Sequence, residues 1–149
     1  MSQTTPMLLA FIGGVFLALH GGFNSQLSEQ LKSPLLTSLV AYIISALLAL
    51  FAVMICTKHL PSLYKLKDVP YYLWFSGALF SVIGIGLYYY TIPKLGISTM
   101  ISIGLFGQIL FSVVAGHFGW FGLPSEPIAY KKIFGVIAMT LGIILIKNT

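Results

Sequence analysis

Two histidines, His20 and His117, are the only ionisable His, Asp, Glu, Lys or Arg side chains well inside long apolar stretches of the sequence. A histidine, with a reference pKa of about 6.5, can take up a proton there at lower cost than a buried lysine or aspartate. Asn24 follows His20 by one helical turn and would share its helix face. His20 and Asn24 therefore predict a polar site. A neutral His20 hydrogen-bonded to a neighbouring helix is the structural alternative, and for His117, near Trp120, an interfacial position is favoured.

Gln108 is the third side chain of this kind, near the middle of another apolar stretch. An unpaired amide in hydrocarbon costs several kcal/mol, so Gln108 must find a partner or line a wet cavity. A hydrogen bond between helices and contact with a substrate both remain open. Ser98, Ser102 and Ser112 lie on the same stretch and are weaker candidates, because their hydroxyls can bond to carbonyls of their own helix.

Catalytic and metal-binding patterns are missing from the sequence. It contains no HExxH, no phosphate-binding loop, no GxSxG and no pair of carboxylates in an apolar stretch. The single Cys56 excludes an internal disulfide and a cysteine metal cluster within one chain. We therefore predict no catalytic residue, no metal site and no cofactor, and a protein that is not an enzyme.

The elements that position the polar residues must be membrane-spanning helices. Of the 149 residues, 58% are hydrophobic and only 7% are charged, whereas soluble domains carry about 25% charged residues. About 20 uncharged helical residues cross a hydrocarbon layer of about 30 Å. The stretches between the charged clusters predict an all-α membrane protein, a bundle of about five transmembrane helices forming one domain over residues 1–149. The predicted spans are residues 6–26, 35–57, 70–91, 95–120 and 131–147.

The first and last stretches each admit a second interpretation. Residues 1–7 contain no Lys or Arg, whereas a secretory signal begins with a basic stretch, so we expect a retained first helix. The last uncharged stretch, residues 133–146, is short for a span, at about 21 Å of helix. Lys131, Lys132 and Lys147 could extend its reach by snorkelling, and a re-entrant or interfacial helix is the alternative.

The charged and aromatic residues suit a membrane surface. The net charge is +5, carried by lysines in loops or at helix ends, which indicates contact with anionic lipid headgroups rather than nucleic acid. With five spans and a cytoplasmic N-terminus, five lysines would lie inside and three outside, a weak bias that also permits insertion both ways. Aromatic residues near the ends of the stretches predict an interfacial belt: Tyr71, Tyr72, Trp74, Tyr88, Tyr89, Tyr90, Trp120, Phe121 and Tyr130.

Small residues recur at intervals suited to helix packing. They are Gly14, Ala18 and Gly22 in the first helix, with Gly13 and Gly21 on the adjoining stripe; Gly104, Ser112 and Gly116 in the fourth; and Gly135 and Gly142 in the last. Such faces let helix backbones approach closely in lipid, where no hydrophobic effect drives helices together. We expect these residues to pack helices within the bundle or between two copies of the chain.

Five segments spread over the chain form a combined pattern. They are GGVFLALHGGFNSQLSEQL from Gly13 to Leu31, Ser33-Pro34, the run from Pro93 to Gly96, Gly107-Gln108, and the tail from His117 through Gly135 to Gly142. Together they resemble the drug/metabolite transporter superfamily, in its five-helix, single-domain YdcZ-like branch of inner membrane transporters. The similarity covers almost the whole chain.

The resemblance implies an all-helical transporter unit of the bacterial inner (plasma) membrane, with relatives that work as pairs or fused repeats, and it implies export. Asn24 and Gln108 match polar positions typical of the branch. His20 stands where these relatives usually have glutamine, and Gly116 stands where an acidic residue is common. The related small multidrug resistance proteins carry an essential glutamate in their first helix, where this sequence has Leu19 and His20.

The leading hypothesis is a transporter subunit that moves an unidentified small molecule by alternating access, with the lipid bilayer as a partner. Many transporters use two related halves of opposite topology, and an odd number of helices cannot supply them equally. We therefore expect an antiparallel dimer, of identical chains or with a related chain, and a monomer is the alternative. A membrane scaffold or accessory subunit of a larger transporter is the rival function. A water-accessible cavity reaching Gln108 would favour transport.

Overall fold

The computed structural model describes residues 4–58 and 60–147, so Met1, Ser2 and Gln3 of the first stretch and residue 59 lie outside the described residues. Within these ranges the chain forms helices and no strand. The helices are α1 (Thr4–Leu31), α2 (Pro34–Cys56), α3 (Leu63–Lys67), α4 (Tyr71–Leu95), α5 (Ile97–His117) and α6 (Tyr130–Lys147), with a 3-10 turn at Trp120–Gly122. The predicted all-α fold class is confirmed.

Four of these helices, α1, α2, α4 and α5, are long and apolar enough to cross a membrane. The shortest of them has 21 residues, which corresponds to about 31 Å of helix and matches a hydrocarbon layer of about 30 Å. Helix α6 forms where the fifth span is predicted, with 18 residues and lysines near both ends. That α6 crosses the bilayer stays a prediction.

The helix ends differ from the predicted boundaries where local backbone chemistry stops the helix. Helix α1 continues past residue 26 to Leu31, where Lys32 turns the chain with a positive φ of 52°. Ser33 then caps α2: its hydroxyl accepts a hydrogen bond from the backbone N–H of Leu36 at 3.2 Å, and Pro34 occupies the first turn. Gly96, at φ 77°, separates α4 from α5.

The described residues form two compact units, within Met1–Lys94 and Leu95–Thr149. In the first unit, α1 and α2 pack against each other as a helical hairpin. The residues they bury are small: Gly21, Ser25 and Ser28 on α1, and Thr37, Ser38 and Ala41 on α2. Such side chains let two helix backbones come close in a membrane. Helix α4 contributes two further buried residues to this unit, Tyr89 and Ile92.

In the second unit, α5 and α6 pack against each other and are joined by a structured loop. The loop turns at Gly119, with φ 62°, and passes through the 3-10 turn. It then folds back onto the end of α5, because the N–H of Glu126 donates to the carbonyl of Gly116 at 2.7 Å. The Glu126 carboxylate also accepts a hydrogen bond from the Lys132 ammonium at 2.6 Å, which ties the loop to the first turns of α6.

Candidate functional site

A polar contact joins α1 to α4 in the first unit. The hydroxyl of Tyr89 lies 3.3 Å from Nε2 of His20, and the two ring centroids are 6.0 Å apart. Tyr89 is 1% exposed, whereas His20 is half-buried. His20 lies about 16 Å along α1 from its last residue, Leu31, which is deep relative to a hydrocarbon layer of about 30 Å. Two side chains that both carry polar atoms therefore meet between spanning helices.

A glycine of α1 lies beside this contact, against a side chain of α4. A Cβ at Gly21, next to His20 in the chain, would stand 3.3 Å from Cδ1 of Ile92. Ile92 lies one turn after Tyr89, on the same face of α4. The glycine thus lets the isoleucine side chain fit against α1. Packing at Gly21 and Ile92 positions the His20–Tyr89 pair.

Asn24 extends the polar site along α1. Its Nδ2 donates a hydrogen bond to the backbone carbonyl of His20 at 2.9 Å, and the residue is half-buried. This bond joins the Asn24 side chain to the turn of α1 that carries His20. The neighbouring buried Ser25 bonds to its own helix, with its hydroxyl donating to the carbonyl of Gly22 at 2.8 Å.

Helix α2 meets α4 through a second hydroxyl contact. The hydroxyl of Tyr42 lies 2.7 Å from the hydroxyl of Ser81, and both residues are half-buried. Ser38 of α2 lies near Gly86 of α4, where a Cβ would stand 3.8 Å from the serine Oγ. Thr37 and Ser38 are fully buried. Their hydroxyls donate hydrogen bonds to the backbone carbonyls of Ser33 and Pro34, four residues earlier in the chain. The α2–α4 contact is therefore partly polar.

The other predicted pathway residues, Ser102, Gln108 and Ser112, lie on α5 in the second unit. Gln108 and Ser112 are exposed and Ser102 is half-buried. That Gln108 faces the bundle interior stays a prediction. The hydroxyl of Ser112 donates to the carbonyl of Ile109 at 2.9 Å, which is the self-satisfaction expected of a helical serine.

Several of the predicted packing residues lie open. Apart from chain neighbours and the helix's own backbone, no described atom lies within 4 Å of a Cβ placed at Gly14, Gly116, Gly135 or Gly142. Ala18 and Gly22 are half-buried on α1, and Gly104 is half-buried on α5. The α1 stripe that packs most tightly in the first unit is the adjoining one, with Gly21, Ser25 and Ser28.

A groove of about 790 Å³ runs between α5 and α6. Ser112, Gly116 and Gly135 line it, and Trp120 and Glu126 of the connecting loop lie along it. Gln108 is not among its lining residues.

The Lys132 ammonium, through its hydrogen bond and its charge, holds the pKa of the Glu126 carboxyl below its usual value. His117 is exposed at the last residue of α5, edge-on to Phe118 with ring centroids 5.0 Å apart.

The comparison with protein families decides the classification. Residues 5–145 match the family described as "Putative inner membrane exporter, YdcZ". The chain belongs to the YdcZ family. As a YdcZ-family protein with four helices capable of spanning, it is a multi-pass protein of the inner membrane, and the family is one of exporters. No curated protein and no solved structure matches the chain.

Within this YdcZ-family chain, the sequence pattern did not reveal Tyr89 as a site residue. The run Tyr88 to Tyr90 was expected to form part of an interfacial belt. Tyr90 is exposed accordingly, and Nζ of Lys94 lies over its ring, 3.5 Å from the ring centroid. Tyr89 instead faces the helix contact and is buried. The available signal was spacing, because Gly86, Tyr89 and Ile92 recur every three residues and so fall near one face of α4.

Proposed function

We propose that the chain is one subunit of an exporter that moves a small molecule by alternating access, and that His20 and Asn24 line its substrate path. One observation carries the proposal: the contact between His20 and Tyr89 across α1 and α4 at membrane depth. Polar groups inside a bilayer are costly and commonly mark substrate or proton pathways. Family membership supports export as the direction.

The half-buried state of His20 supports this role over a purely structural one. If His20 only joined two helices, we would expect it to be completely buried, with a hydrogen bond at each ring nitrogen. Here Nε2 faces Tyr89, and no hydrogen bond to Nδ1 is present among the described residues. Asn24, one turn away, is also half-buried. Together the two residues give α1 a polar face that a solute can reach.

We further propose that the working unit is an antiparallel dimer, of identical chains or of this chain with a relative. The open positions on α6, Gly135 and Gly142, support a second chain packing against this helix. The weak lysine bias permits a copy inserted upside down.

Reconstitution into liposomes tests the transport proposal. Proteoliposomes loaded with a metabolite panel are assayed for efflux with and without a pH gradient, against protein-free vesicles. If transport is coupled to protons through His20, His20→Gln keeps the fold and changes the pH dependence of efflux. An unchanged pH profile in that variant eliminates His20 as the coupling group. Efflux equal to that of empty vesicles for every solute favours the scaffold or accessory subunit.

Cysteine accessibility tests the dimer. Cys56 is the only cysteine, so Cys56→Ser gives a background without thiols, into which one cysteine is placed at either terminus. An antiparallel dimer of identical chains predicts that a membrane-impermeant thiol reagent labels part of the population at each terminus in whole cells. Labelling of one terminus only would rule out identical chains and leave pairing with an oppositely oriented relative.

A further inference from the structure

The hydrogen bonds around His20 and Asn24 leave two polar atoms for a solute. The Tyr89 hydroxyl is buried, and a buried hydroxyl needs an acceptor for its proton. The nearest partner is Nε2 of His20, at 3.3 Å. In a neutral imidazole one ring nitrogen accepts and the other carries the proton, so a bond from Tyr89 to Nε2 places the proton on Nδ1. Tyr89 thereby leaves His20 with one donor, the Nδ1–H, that has no hydrogen bond among the described residues.

Asn24 has the complementary arrangement. Its Nδ2 must be the atom facing the carbonyl of His20, because only the nitrogen can donate to that oxygen. Its Oδ1 is left as an acceptor, with no hydrogen bond among the described residues. Every fully buried side-chain nitrogen or oxygen in the described part of the chain has a partner, so Nδ1 of His20 and Oδ1 of Asn24 are not sealed in.

We propose that these two atoms bind an uncharged hydrogen-bonding group of the solute, an amide or a hydroxyl that donates and accepts at once. This inference rests on the proposed function and narrows its substrate class. The Nδ1–H of His20 donates to the solute oxygen, and Oδ1 of Asn24 accepts the solute proton. The spacing suits one small group, since the two residues are one helical turn apart. Tyr89 is the positioning residue that keeps the donor on Nδ1.

Nitrogen-15 NMR of histidine-labelled protein in lipid nanodiscs tests the first step without any transport assay. In the wild-type protein, the His20 signal, identified by its loss in His20→Gln, should report a protonated Nδ1 and an unprotonated Nε2. Tyr89→Phe removes only the hydroxyl and should shift the balance toward protonated Nε2. Tyr90→Phe is the matched control, since Tyr90 is exposed on the next position of α4. Identical His20 tautomers in wild type and Tyr89→Phe would overturn the proposal.

The same sample tests the ligand class with three probes of similar size: benzamide, benzyl alcohol and benzyltrimethylammonium. The amide and the alcohol should move the His20 signals saturably and leave those of His117, the internal reference for partition into lipid, unchanged. In Tyr89→Phe their affinity should fall about fivefold, which corresponds to a hydrogen bond of about 1 kcal/mol. No response to either neutral probe, or an equal response to the cation, would overturn the proposal. Binding without efflux would instead count against the transport function alone.

Discussion

Replacing Gly21 by leucine tests the packing that places His20 beside Tyr89. A Cβ at this position would stand 3.3 Å from Cδ1 of Ile92, against a favourable carbon separation of about 3.5–4.0 Å. An alanine methyl therefore asks Ile92 to move by only a few tenths of an ångström. A leucine adds three more carbons, and Ile92, at 5% exposure, cannot swing clear of them. Overpacking of this kind costs about 1–3 kcal/mol.

Gly14→Leu is the matched control on the same helix. Apart from its chain neighbours and the backbone of α1 itself, no described atom lies within 4 Å of a Cβ placed at Gly14. Unfolding of each variant in mixed micelles, titrated with a denaturing detergent and followed by circular dichroism, gives the change in free energy of unfolding. Gly21→Leu should lose about 1–3 kcal/mol and Gly14→Leu much less. Truncating Ile92 to alanine should recover part of the loss in Gly21→Leu. Equal losses in the two glycine variants would refute the assigned α1–α4 contact.

Three further outcomes follow from other contacts. Tyr42→Phe and Ser81→Ala should each lower the free energy of unfolding by about 0.6–1.7 kcal/mol, and the double variant should lose less than their sum; additive losses would exclude the bond between the two hydroxyls. Lys132 keeps the pKa of the Glu126 carboxyl below its usual value, so their ion pair stabilises the loop at pH values above the ordinary glutamate pKa and is lost as the pH falls through the lowered pKa. Limited proteolysis of the loop should therefore be faster in acid, and the Glu126→Gln variant should be cleaved equally fast at neutral pH. Gly142→Leu should preserve the helical circular dichroism spectrum yet weaken cross-linking between chains, and unchanged cross-linking would remove α6 from the proposed dimer interface.

The helices and their order could be predicted from the sequence because hydrophobicity and length determine them directly. The residues at which the helices begin and end were harder to predict from the sequence. The fourth span was expected over residues 95–120, but Gly96 and the region after His117 shorten it to Ile97–His117. Ser33-Pro34 was visible as a motif, and the structure shows its physical role as the cap and first turn of α2.

The candidate site was only half predictable. His20 and Asn24 stand out because polar groups are rare in apolar helices. Tyr89 did not, since an aromatic residue near a helix end fits an interfacial position equally well. Likewise, α1 carries two adjoining small-residue stripes, and composition does not choose between them. The choice of the stripe containing Gly21 depends on what the facing helices present, above all Ile92 on α4.

Solute efflux from proteoliposomes most directly tests the central claim that the polar contact between α1 and α4 forms part of a transport path. Vesicles with wild-type protein, Tyr89→Phe or Tyr90→Phe are loaded with the same panel of uncharged amides and alcohols and compared with protein-free vesicles. We predict saturable efflux of at least one solute in wild type and Tyr90→Phe, slowed about fivefold in Tyr89→Phe by loss of one hydrogen bond. Saturable efflux that is equally fast in all three proteins would contradict the account.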